Sequence, residues 1–161
     1  MNTEQKRIIG ALYQEMYDML IIYAHASLDS KPLAEEAVQE TFHIACQKPD
    51  SVCSSANPQG WVVNTLKNTI RNMKRNRATA KRIVETYMMT QLREFSITED
   101  RINLNVLYEN VADTEEFKLL SEMAIEGRSH EEMAQSRGIT VSACKKRVQR
   151  AKETLQRKIK I

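Results

Sequence analysis

The sequence predicts an all-α chain of two small helical domains joined by a flexible linker, the C-terminal one a helix-turn-helix. Three observations predict it. Apolar residues recur at helical spacing through most of the 161 residues. Composition favours helix: there are 4 glycines and only 6% aromatics, while Glu, Lys, Gln, Leu and Met are plentiful. Helix start and stop signals punctuate the chain at several points. A chain of this length can be one domain or two small ones.

The elements follow in order. Over residues 4–28, Ile9, Leu12, Met16, Leu20 and Tyr23 share one helical face and predict a core helix. Ser30 and Pro32 mark a new start, with proline tolerated in the first turn. Leu33, Ala37, Val38, Phe42 and Ala45 line the apolar side of this second helix, leaving Glu35, Glu36, Gln39, Glu40 and His43 as an acidic outer face. Residues 48–57, KPDSVCSSAN, read as a loop on composition. Asn57 and Pro58 cap and start a third helix, in which Val62, Leu66, Ile70 and Met73 repeat at core spacing. Asn64, Lys67, Asn68, Arg71, Asn72, Lys74 and Arg75 fill much of the remaining surface, and asparagines interleaved with cations suit a face that meets phosphates and bases. Trp61 is either a core aromatic or a stacking platform.

From Ala80 to Arg101 the pattern weakens. Residues 82–95 can still be helical, but 96–100, SITED, read as linker, and 80–101 is taken as the tether between domains. Ile102, Val106 and Tyr108 or Val111 suggest a short helix. Asp113 is the expected cap of another, with Phe117, Leu120, Met123 and Ala124 inside and Gly127 ending it.

The last stretch is the most informative. Ser129 and Glu132 have the spacing of a capping box, in which each side chain satisfies the other's backbone N–H. The helix they open is brief, because Gly138 supplies the left-handed residue that ends it. Thr140 is the expected N-cap of the next helix. There Val141, Cys144, Val148, Ala151 and Leu155 form an apolar stripe, while Ser142, Lys145, Lys146, Arg147, Gln149 and Arg150 are placed to meet DNA. Lysine and arginine neutralise phosphates, and Arg or Gln also reach base edges. A short capped helix, a glycine turn and a longer basic helix form the pattern of a helix-turn-helix. An ordinary amphipathic terminal helix with a solvated basic face is the blander alternative.

Net charge is only +3, but it is unevenly distributed. Residues 1–60 carry 4 basic and 8 acidic side chains; 61–93 carry 8 and 1; 94–132 carry 3 and 11; 133–161 carry 9 and 1. Two basic blocks thus alternate with acidic ones, as expected of two polyanion-facing surfaces. No apolar run is long enough to cross a membrane, and MNTEQKR lacks an apolar signal core, so a cytoplasmic protein without membrane insertion is expected. Cys46, Cys53 and Cys144 fit reduced thiols better than a disulfide framework. There is no glycine-rich phosphate loop, GxSxG or HExxH. His43, Cys46 and Cys53 lack an obvious fourth ligand, so no metal is expected. Cys144 is placed as a small core residue and His130 as a solvated one. No catalytic constellation is visible, so neither an enzyme nor a cofactor is expected.

Two separated stretches resemble one family. AEEAVQETF (34–42) followed by NPQGWVVNTLKNTIRNMKRNR (57–77) resembles region two of the small, extracytoplasmic-function (ECF) RNA polymerase sigma factors. LLSEMAIEGRSHEEMAQSRGITVSACKKRVQRAKETLQRKI (119–159) resembles their region four. The resemblance implies a region-two domain over 1–79, a linker over 80–101 and a region-four domain over 102–161. It implies binding to core RNA polymerase and promoter DNA, and control by an anti-sigma factor. Glu35, Glu36, Gln39 and Glu40 would dock on polymerase. Trp61, Asn64, Lys67, Asn68, Arg71, Asn72, Lys74 and Arg75 would engage the −10 element and help melt it, with the 48–57 loop cradling a flipped base. The helix from Thr140 would read the −35 element as duplex. The chain departs from the family pattern at Glu36 and Ala37, where the helix is kept but the family's contact details do not carry over, and at Ala143 and Cys144, so no promoter preference carries over. A linker of roughly 20 residues, fully extended, would reach about 70 Å, close to the roughly 70 Å of two DNA turns. The alternative function is a stand-alone helix-turn-helix regulator acting on duplex DNA.

Overall fold

The computed structural model describes residues 1–98, 109 and 114–160. Seven α-helices and no strand are found among the described residues, in agreement with the all-α expectation. The chain divides into two units, Met1–Arg75 and Asn76–Ile161. The short helix expected through Ile102, Val106 and Tyr108 or Val111 lies outside the described residues, as does Asp113.

The first unit holds α1 (Thr3–Leu28), α2 (Lys31–Gln47), α3 (Pro49–Cys53) and the opening turns of α4 (Pro58–Thr98). Asn2 and Gln5 form a capping box at the start of α1, with Gln5 N–H donating to Asn2 Oδ1 at 2.8 Å. Ser30 caps α2, its hydroxyl accepting from the Leu33 N–H at 3.4 Å, and Pro32 sits in the first turn. Ile9, Leu12, Met16 and Leu20 of α1 join Val38 and Phe42 of α2 and Val62, Leu66 and Ile70 of α4 in one core. Ala24, Ala34 and Ala37 are all 0% exposed, and their small side chains let helix backbones approach closely. Ala24, rather than Tyr23, takes the inner position, and the tyrosine ring stays on the surface. The 48–57 segment is not wholly loop: α3 forms within it and buries Val52 completely.

Asn57 starts α4 as expected. Its Oδ1 accepts the Gly60 N–H at 3.0 Å, a bond of the kind that contributes about 1 kcal/mol. A Cβ on Gly60 would lie 2.5 Å from Asn57 Nδ2, so glycine is what leaves room for this cap.

The second unit holds the rest of α4 with α5 (Glu115–Ala124), α6 (His130–Arg137) and α7 (Val141–Ile159). Here the linker expectation is corrected. Residues 80–98 are helix, and Ala80, Ile83, Val84 and Tyr87 are buried in one core with Phe117, Leu120, Met123, Val148 and Leu155. Burying a Val- or Ile-sized side chain contributes about 1.5–3 kcal/mol, enough to hold this stretch helical despite charged flanks. The expected tether is therefore helix over 80–98, which does not have the extended length assumed for it, and 99–101 lie outside the described residues. Thr114 is the N-cap of α5, and Leu119 is buried beside the expected Phe117, Leu120 and Met123.

Candidate nucleic-acid interface

The α6–α7 pair forms as its local signals dictate. The Ser129 hydroxyl accepts the Glu132 N–H at 3.1 Å, and Glu132 Oε2 accepts the Ser129 N–H at 2.8 Å. Gly138 ends α6 with φ +62°, a conformation that penalises any Cβ. Thr140 then caps α7, its Oγ1 accepting the Ala143 N–H at 3.1 Å. Cys144, Val148, Ala151 and Leu155 are buried, which turns the opposite side of α7 outward. Val141, expected on that stripe, is instead 39% exposed.

Ser142, Lys145, Lys146, Arg147, Gln149 and Arg150 are all exposed, with Lys145 and Arg147, two residues apart, on opposite flanks of the helix surface that faces away from the buried stripe. Gln149 Nε2 donates to Glu153 Oε1 at 3.1 Å, which leaves its second N–H and its carbonyl oxygen for other partners. Two other cations of the basic block are not on this surface. Lys152 is half-buried, and burial together with the nearby Arg77 charge lowers its pKa. Arg137 is turned inward: it donates to Glu122 through both terminal nitrogens at 2.9 Å and to Glu115 at 2.7 Å. Glu122 also accepts from Arg128 at 2.8 Å. The Arg137 hydrogen bonds hold the Glu122 carboxyl below its ordinary pKa, against the opposing effect of burial. Glu122 in return raises the Arg137 pKa. This network joins α5 to α6 and fixes the entry to the helix-turn-helix.

Arg77 has a similar structural use. It donates to the carbonyl of Met123 at 2.6 Å, one of the last-turn oxygens that α5 leaves without a helical partner, and to that of Arg128 at 3.0 Å, in the connection before α6.

In the first unit, Asn64, Lys67, Asn68, Arg71, Asn72, Lys74 and Arg75 are exposed along α4. Trp61 is intermediate between the two roles open to it. It packs against the core edge, while its Nε1 donates to Ser51 Oγ at 3.2 Å. It also lines a surface recess of about 320 Å³ with Ile44, Lys48, Ser51, Thr65, Asn68, Thr69 and Asn72. The recess brings the 48–57 segment against α4 and contributes polar groups from both. On α2, Gln39 is exposed, whereas Glu35, Glu36 and Glu40 are half-buried, so the acidic face is less open than the sequence suggests. Among the described residues, no group of His, Cys, Asp and Glu is arranged to hold a metal ion, and no helix is long and apolar enough to cross a membrane.

A capped short helix, a left-handed glycine turn and a longer helix with an exposed cationic side define a helix-turn-helix DNA-binding domain. Residues 115–155 match the family model for Sigma-70, region 4. The second unit therefore carries a sigma-factor-like DNA-binding domain of the transcription-factor kind, which is not an enzyme family. No curated protein and no solved structure matches the chain.

Proposed function

We propose that this chain is an ECF-type sigma factor that binds core RNA polymerase and directs promoter-specific initiation. The observation that carries the proposal is the exposed set on α7, within a stretch that matches sigma-70 region 4. In this reading Ser142, Lys145, Lys146, Arg147, Gln149 and Arg150 hold the upstream element as duplex. The second cationic face, on α4, supports a downstream grip. Asn64, Lys67, Asn68, Arg71, Asn72, Lys74 and Arg75 engage the −10 element, and the recess beside Trp61 receives a base turned out of the melted strand. Unstacked bases expose faces and edges that a closed duplex hides. Glu35, Glu36, Gln39 and Glu40 on α2 dock on polymerase. The protein works in the cytoplasm without a cofactor, and an anti-sigma factor restrains it.

The test mixes the full chain with core polymerase and a promoter library. Co-elution with polymerase on a sizing column and transcripts from defined starts are expected. Absence of both refutes the proposal. Tight sequence-specific duplex binding without polymerase, with neither of those outcomes, would instead establish a stand-alone regulator.

A further inference from the structure

Val141 is the first residue of α7 and has the spacing of the buried stripe, yet it is 39% exposed while Cys144, Val148, Ala151 and Leu155 are at most 4% exposed. It is the large apolar side chain that α7 leaves most open among the described residues. Helical side chains lean toward the helix N-terminus. The isopropyl group therefore stands over the Thr140 end of the helix, ahead of the core rather than inside it. Of its helix neighbours, Ser142 and Lys145 are exposed within about one turn, and Lys146 follows just beyond it. A β-branched residue there adds little to helix propensity, and this one adds little to the core. Its shape and rigidity suit contact with something outside the protein. In a docked helix-turn-helix, the N-terminal residues of the second helix meet base edges. The apolar group on those edges is the thymine C5-methyl.

We propose that Val141 packs on the methyl of one thymine in the upstream element and so selects T at that position. The assignment rests on the reading of α7 as the major-groove helix. It adds a contact that charge and hydrogen bonding do not supply, because the neighbouring lysines recognise phosphates or guanine and cannot distinguish a methyl group.

The test selects upstream duplexes with the full chain bound to core polymerase, then replaces each thymine of the enriched site by uracil, which removes only the methyl. One replacement is expected to weaken the wild-type complex about fourfold, equivalent to about 0.8 kcal/mol for one buried carbon. The same replacement should leave Val141→Ala unaffected and still weaken Val141→Ile. Circular dichroism should show both variants folded as the wild type is. Identical uracil penalties in wild type and Val141→Ala, or no penalty in the wild type, would overturn the role of Val141 and leave the reading of α7 standing. Failure to enrich any upstream sequence would overturn both.

Discussion

Replacing Glu122 by glutamine tests whether the network beneath the helix-turn-helix holds α5 and α6 together. The carboxylate accepts three guanidinium N–H groups, two from Arg137 at 2.9 Å and one from Arg128 at 2.8 Å. The side chains of Glu122 and Arg137 are only 19% and 13% exposed, so solvent screens the pair weakly. Hydrogen bonds to charged groups contribute about 1.5–3 kcal/mol each. Because the carboxamide oxygen can still accept from one arginine, the expected loss is about 2 kcal/mol. In a domain of this size, each kcal/mol moves the melting midpoint by about 4–8 °C. The substitution should therefore lower the midpoint of the second unit by roughly 8–16 °C. Far-UV circular dichroism follows the whole chain, while Trp61, the single tryptophan, reports independently on the first unit. A pH series adds a second check. The folded-state pKa of Glu122 lies below 4.5, so the ionised group stabilises above that value, and its contribution is lost as the pH falls through the lowered folded pKa. The gap between wild type and Glu122→Gln should be full at neutral pH and close as the solution is acidified below 4.5. A gap within about 0.5 kcal/mol at neutral pH, the size of an ordinary surface change, would refute the reasoning. So would a gap that persists undiminished in acid.

Three further outcomes are expected. Changing Lys145, Lys146 and Arg150 together to alanine should weaken upstream promoter use and leave polymerase co-elution intact. It should also flatten the salt dependence of DNA binding by up to about 2.7 in log–log slope, at about 0.9 for each phosphate no longer neutralised. Changing Glu36 and Gln39 to alanine should do the reverse, impairing co-elution while upstream DNA binding survives; equal loss of both activities in both variants would contradict the division of labour. Gly138→Ala, at φ +62°, should lower stability by about 1–2 kcal/mol through backbone strain, read as a fall in the melting midpoint.

The helix-turn-helix was legible because its signals are local. Ser129 and Glu132, Gly138, and Thr140 each act within three or four residues of chain, and the structure places all of them as the sequence suggests. Other features depend on distant partners. Ala80, Ile83, Val84 and Tyr87 have helical spacing, but whether that stripe is covered depends on Phe117, Leu120 and Leu155 arriving from later in the chain. The inward cations are similar: Arg77 meets Met123 across 46 positions, and Arg137 meets Glu115 across 22. A charge count cannot distinguish those arginines from the ones that face solvent. Tyr23 and Ala24 show the same limit at smaller scale, since hydrophobicity favours the tyrosine while close helix approach selects the alanine.

Arg77 also decides what can be transplanted. It closes the carbonyl end of α5 from a helix that begins well before the matched stretch 115–155. Ala80, Ile83, Val84 and Tyr87 complete the same core. A chimaera cut at residue 102, or at the edge of the matched stretch, would carry α7 without the side chains that complete its core. A graft begun at Asn76, where the second unit starts, would take Arg77 and the Ala80, Ile83, Val84 and Tyr87 stripe with it into a new host chain.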